Sequence, residues 1–87
     1  VRLDKFLQVS RLVRRRALAS DLCRAGRVTL NGRVAGPADR VRPGDVIALE
    51  VADRLLRVRV RALPGPRPGA ADAFWEALPA SAEDTRR

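Results

Sequence analysis

The chain has no histidine, tyrosine or methionine, a single cysteine, and only three aromatic residues, Phe6, Phe74 and Trp75. Without histidine, and with Cys23 alone, neither the usual Cys/His zinc site nor Cys–His or Ser–His catalysis can be assembled within these 87 residues. Cys23 can form no internal disulfide and lies in an apolar helical pattern, so it reads as a core residue in a reducing compartment. Three aromatics, with Phe6 expected in the core, leave no platform for stacking splayed bases, which argues against an RRM or OB-type reader of single strands. No apolar run approaches the ~20 residues that span a bilayer, and the N-terminus lacks a signal-peptide h-region. A cytoplasmic location is therefore expected. The ten carboxylates are scattered, mostly beside arginines, and form no acid–base pair. The expectation is a protein without catalysis, metal or cofactor.

Lysine is scarce too, with Lys5 alone among eighteen basic residues. A GC-rich coding bias explains arginine in place of lysine, but it does not explain where the arginines lie. Residues 1 to 33 hold nine Arg or Lys against Asp4 and Asp21, a net +7 out of the chain's +8. Such a local field is what a polyanion senses. Six of these cations, Arg2, Lys5, Arg11, Arg14, Arg15 and Arg16, interleave with Leu3, Phe6, Leu7, Leu12 and Val13. One short segment can thus bury one face and present charge on another.

Length allows one small domain that buries about 60–65% of its unfolded surface, with no room for a large catalytic cavity. From Arg2 to Val9, Leu3, Phe6 and Leu7 recur at helical spacing and predict a short first helix. A second helix is predicted from Arg15 to Ala25, with Leu18, Leu22 and Cys23 together with Ala19 and Ala25 along one stripe and Gly26 at the C-terminal cap. Ser10 to Arg14 is then a bend. After Gly26 the period becomes two, and Asn31-Gly32 signals a tight hairpin because both central positions of a type I′ turn need positive φ. Its return strand is Arg33 to Ala35. Pro43-Gly44-Asp45 turns the chain into a strand from Val46 to Val51, and a second hairpin at Ala52 to Arg54 returns through Leu63. In that last strand Arg57, Arg59 and Arg61 alternate with apolar residues and read as a solvated sheet face. Residues 64 to 70 form a Pro/Gly linker. Beyond it, Ala70, Phe74, Trp75 and Leu78 predict a short helix packed back on the domain. The fold class is α+β, two helices on a small twisted antiparallel sheet spanning residues 1–63, followed by the linker and tail 64–87.

The predicted binding surface runs from the first helix across the bend to the second helix and the Asn31-Gly32 hairpin. Arginine guanidiniums at 11, 14, 15 and 16 can fork onto phosphates, and the start of the second helix offers free N–H groups and a positive dipole end. Cations there oppose the helix by itself, a local conflict that a bound phosphate relieves. Asp4 either accepts a salt bridge that orients an arginine or caps the first turn. Arg24, Arg27 and Arg33 either extend the surface or are ordinary solvated residues. Asn31 is first a turn residue, whose glycine neighbour lets RNA approach the backbone. Recognition should read structured RNA through shape and phosphates. With about five phosphates engaged, the log–log salt slope would be on the order of −4.

The run Arg2-Leu3-Asp4-Lys5-Phe6-Leu7, the segment Ser10 to Ala19, the stretch from Gly26-Arg27-Val28 to Asn31-Gly32, and Pro43-Gly44-Asp45 closely resemble the RNA-binding domain named after ribosomal protein S-four. The likeness covers residues 2 to 63 in order. Within that superfamily the chain most resembles the small RqcP-like proteins of bacterial ribosome-associated quality control, and Arg15, where many such domains carry Ser or Thr, favours that branch. The resemblance implies binding to obstructed large ribosomal subunits, with contacts to rRNA and peptidyl-tRNA, and support of an RqcH-like factor that adds a C-terminal alanine tail. It implies rRNA contact for Arg2 and Arg16 in particular. The other RNA-binding positions expected are Lys5, Arg11, Arg14, Arg15, Arg27, Asn31 and Arg33, on a chain that is monomeric off the ribosome. Alternatives from the same superfamily are a heat-shock ribosome-binding protein and the RNA-binding accessory of an RNA-modifying enzyme. A helix-turn-helix DNA binder is disfavoured by the period-two second half.

Overall fold

A computed structural model describes residues 1–51, 53–63 and 74–78. Two helices, α1 (Leu3–Val9) and α2 (Arg16–Arg24), precede the strands β1 (Val28–Leu30), β2 (Arg33–Val34), β3 (Val46–Val51), β4 (Arg54–Val60) and β5 (Trp75–Leu78). The strands form one antiparallel sheet in the order β2-β1-β3-β4-β5. This is the expected α+β arrangement.

Register explains which face is buried. Val28 pairs with Leu49 and Leu49 with Leu56, while Leu30 pairs with Ile47 and Ile47 with Val58. Residues directly opposite each other share a face, so these apolar rows line one side of the sheet. Leu3, Phe6 and Leu7 of α1 and Ala19 and Cys23 of α2 are buried in the same core as Val28, Ile47, Leu49 and Val58. On the other side, Arg59 stands opposite Val46 and Glu76 and is exposed.

Local chemistry sets the element ends. α2 closes with Gly26 at φ 77, its N–H bonded to the Cys23 carbonyl and the Arg27 N–H to the Leu22 carbonyl. This paired pattern is the Schellman motif, whose left-handed residue glycine occupies without a Cβ penalty. Asn31 and Gly32 both have positive φ, 54° and 86°, and join β1 to β2 as the dipeptide predicts.

Two expectations fail. Leu18 and Ala25 were placed in the apolar stripe of α2, but Leu18 is 41% exposed and Ala25, the C-cap beyond the last helical turn, is exposed as well. The small side chains of Ala19 and Cys23 make the buried face of α2, which leaves Leu18 on the rim and Leu22 half-buried. The tail is the other failure. Trp75–Leu78 forms β5, paired with β4 from Val60↔Trp75 to Arg57↔Leu78, where a short helix was expected. The open edge of β4 supplies backbone partners that outweigh the helix preference of Glu76, Ala77 and Leu78, and the aromatics suit a half-buried strand. The expected packing onto the domain does hold: Phe74 joins the core, and Trp75 Nε1 donates to the Ser10 carbonyl at 3.1 Å. Ala70 and the linker lie outside the described residues.

Candidate nucleic-acid interface

The two helices begin differently. Arg2, the N-cap of α1, has no side-chain cap, and the loop after β2 takes over that role. The Leu3 N–H bonds to the Asp39 carbonyl at 2.7 Å and the Asp4 N–H to the Pro37 carbonyl at 3.2 Å. Two of the helix's orphan donors are thereby satisfied. At α2, by contrast, the N-cap is Arg15, with no side-chain cap and no acidic residue in the first turn. Its free N–H groups sit beside Arg14, Arg15 and Arg16, all exposed. Each cation at a helix start costs about 0.3–1 kcal/mol, and among the described residues only Arg16 of the three has a carboxylate partner, Asp4.

Asp4 ties these starts together. Its side chain is only 5% exposed; Oδ1 accepts from Arg2 Nε at 3.3 Å and Oδ2 from Arg2 Nη2 at 3.2 Å, while Arg16 Nη2 lies 3.4 Å from Oδ1. Burial by itself would raise the Asp4 pKa. The Arg2 hydrogen bond, the charges of Arg16 and Arg2 and a backbone bond from Lys5 outweigh it and hold the carboxyl below its usual range. The Arg2 and Arg16 side chains remain 47% and 50% exposed. One buried carboxylate therefore holds two arginines, two and twelve residues away in sequence, each still about half open to solvent.

The other predicted residues separate into groups. Arg11 occupies the bend at φ 64, a left-handed conformation for a residue with a Cβ, fixed by its N–H bond to the Gln8 carbonyl and by Val13 N–H to Leu7. That conformation costs roughly 1–2 kcal/mol. Lys5, Arg11, Arg14 and Arg15 are exposed and make no ion pair among the described residues. Arg27 is paired with Glu50 at 3.7 Å, and Arg33 lies exposed on the edge strand β2. Asn31 is engaged within the protein: its Nδ2 donates to Asp45 at 3.1 Å and its Oδ1 accepts from the Val46 N–H at 2.9 Å. The turn's backbone is open on its glycine side, where a Cβ built on Gly32 meets nothing within 4 Å. Sequence reasoning did not find the contact from Trp75 to Ser10; no local pattern signals a bond across 65 positions.

Cys23 behaves as a core thiol, since burial, followed by the nearby charges of Asp4 and Asp39, pushes its pKa up to about 11. Among the described residues no cluster of His, Cys, Asp and Glu could hold a metal, and no helix is long and apolar enough to cross a membrane.

A short helical pair on an antiparallel sheet, with a cationic junction at the helix starts, is the build of an S4 domain, and residues 1–47 match that family's model. Proteins named RQC P-site tRNA stabilizing factor are similar to this chain. The one from Halalkalibacterium halodurans is 45% identical over 60 residues, 69% of this chain and 68% of the relative, and that from Bacillus subtilis 43% identical over 63 residues, 72% and 73%. The chain belongs to this family of RQC P-site tRNA stabilizing factors within the S4 domain class. Among solved structures, the trimeric Vibrio cholerae heat shock protein 15 matches with a TM-score of 0.83 at 29% identity, covering 100% of this chain and 90% of that one. The solution structure of the hypothetical protein HP1423 matches at 0.74 and 31% identity, covering 91% and 98%.

Proposed function

We propose that this protein is a non-catalytic RNA-binding factor of ribosome-associated quality control in the cytoplasm. It binds rRNA and peptidyl-tRNA on obstructed large ribosomal subunits and supports an RqcH-like factor in adding C-terminal alanine to the stalled chain. Off the ribosome it is a monomer. The observation that carries this reading is the Asp4-held pair Arg2 and Arg16 beside the uncapped start of α2. Arginines set in fixed positions at an open helix end recognise phosphates at a defined spacing, which a flexible basic tail does not. The names of the similar bacterial proteins support the choice of ligand. Arg11, Arg14, Arg15 and Lys5 extend the same surface, with Arg33 and the Asn31-Gly32 backbone at its edge, while the ion pair of Arg27 with Glu50 makes it the weakest contributor.

Sedimentation of cell extract through gradients tests the ribosomal part. The protein is expected with large subunits at low salt and free at high salt, and Arg16→Ala should abolish comigration. Comigration that survives Arg16→Ala would refute the assignment. The likeness to heat shock protein 15 favours a second reading, recycling of obstructed large subunits without tailing. An alanine-tailing assay in a strain lacking the protein separates the two, because only the first predicts loss of tails.

A further inference from the structure

At the far end of α1 from Asp4, the bend forms an open cleft of about 450 Å³ lined by Gln8, Val9, Arg11, Val13 and Arg14. We propose that this cleft receives one unpaired nucleotide extruded from the bound RNA, so that the protein favours a stem carrying an unpaired base over a continuous one. The inference rests on the RNA-binding reading above and adds to it a site for a base.

The lining has the parts such a ligand needs. Val9 is half-buried and offers apolar surface to a base, and the buried Val13 forms the floor beneath it. The Gln8 side-chain amide, with no hydrogen-bond partner among the described residues, can both donate to and accept from a base edge. Arg11 and Arg14 are exposed and lack a carboxylate partner among the described residues. A guanidinium plane can stack on a base as an aromatic ring does, and it can fork onto the adjoining phosphate. The scarcity of aromatics therefore does not exclude contact with a single base. The volume falls within the range of about 300–1,000 Å³ typical of small-ligand clefts.

The cleft is also held in shape before any ligand arrives. Arg11 N–H to Gln8, Val13 N–H to Leu7 and Trp75 Nε1 to the Ser10 carbonyl fix the bend from both sides. Fixing the bend in advance lowers the ordering cost of binding. The left-handed Arg11 fits this account, because backbone strain persists where the surroundings enforce it and is concentrated at functional positions. A continuous duplex presents backbone and stacked bases, and it has nothing to place in a cleft of this size.

Three labelled RNA hairpins, bound at low salt to the full chain and followed by fluorescence anisotropy, test the proposal. One has a continuous stem, one the same stem with a single unpaired adenosine, and one an abasic residue in place of that adenosine. The wild-type protein should bind the adenosine hairpin about tenfold tighter than the other two, as expected for one stacked base. Gln8→Ala should shrink that ratio while binding the continuous stem within about twofold of wild type, with its fold checked by circular dichroism. Equal binding of the adenosine and abasic hairpins by the wild type overturns the proposal without touching the RNA-binding reading. So does an undiminished preference in Gln8→Ala. Failure to bind any of the three overturns both.

Discussion

Asp4→Asn separates two accounts of the basic surface because they predict opposite signs. The substitution keeps shape and removes one negative charge, raising the net charge from +8 to +9. If the arginines act only through their summed field, RNA binding should tighten. If Asp4 acts by holding Arg2 and Arg16 in place, binding should weaken, by about fivefold or more, since two side chains that must be ordered at the moment of binding cost about 1–3 kcal/mol. Stability provides an independent readout. Charge-assisted bonds contribute about 1.5–3 kcal/mol each when sheltered and about 0–1 when exposed, and here a buried acceptor meets half-exposed donors. A loss of about 2 kcal/mol, or roughly 10 °C in Tm for a domain of this size, is expected at neutral pH. The folded-state pKa of Asp4 is depressed, so its contribution is fully present above the unfolded carboxyl value of about 3.9 and disappears as pH falls through the folded value. The Tm gap between wild type and Asp4→Asn should therefore close in acid. Tighter RNA binding by the variant, or a Tm gap that does not change with pH, would refute the positioning role.

Arg11→Gly removes the penalty of a left-handed residue and should raise stability by about 1 kcal/mol in urea unfolding, while lowering RNA affinity because a cation is lost. Trp75→Phe keeps an aromatic side chain but deletes the bond to the Ser10 carbonyl and part of the ring's packing; a loss of at least about 1 kcal/mol is expected by thermal circular dichroism. Cys23, with its thiol raised to about 11, should resist iodoacetamide at pH 8 when folded and react quickly in denaturant. Rapid alkylation of the native protein would contradict its burial.

Signals carried by a few neighbouring residues were readable before any coordinates. The 3.6 and 2.0 periods located both helices and four strands, Asn31-Gly32 and Gly26 specified backbone with positive φ, and the charge count placed the basic surface at residues 1–33. These are local because sterics and side-chain direction act over one or two turns. The choice of Arg2 and Arg16 as the arginines proposed for rRNA contact came from resemblance, and the role of Asp4 stood between orienting an arginine and capping a turn. Tertiary structure chose the first, because folding α2 against α1 brings Arg16 to the carboxylate that Arg2 already grips, while loop carbonyls cap the turn instead. The same holds for Leu18, whose exposure depends on what packs against Ala19 and Cys23, and for Trp75–Leu78, whose weak local helix preference yields to an open strand edge. Periodicity says which residues can share a face, whereas the partner that occupies that face is set by contacts between segments far apart in the chain, and no local rule contains them.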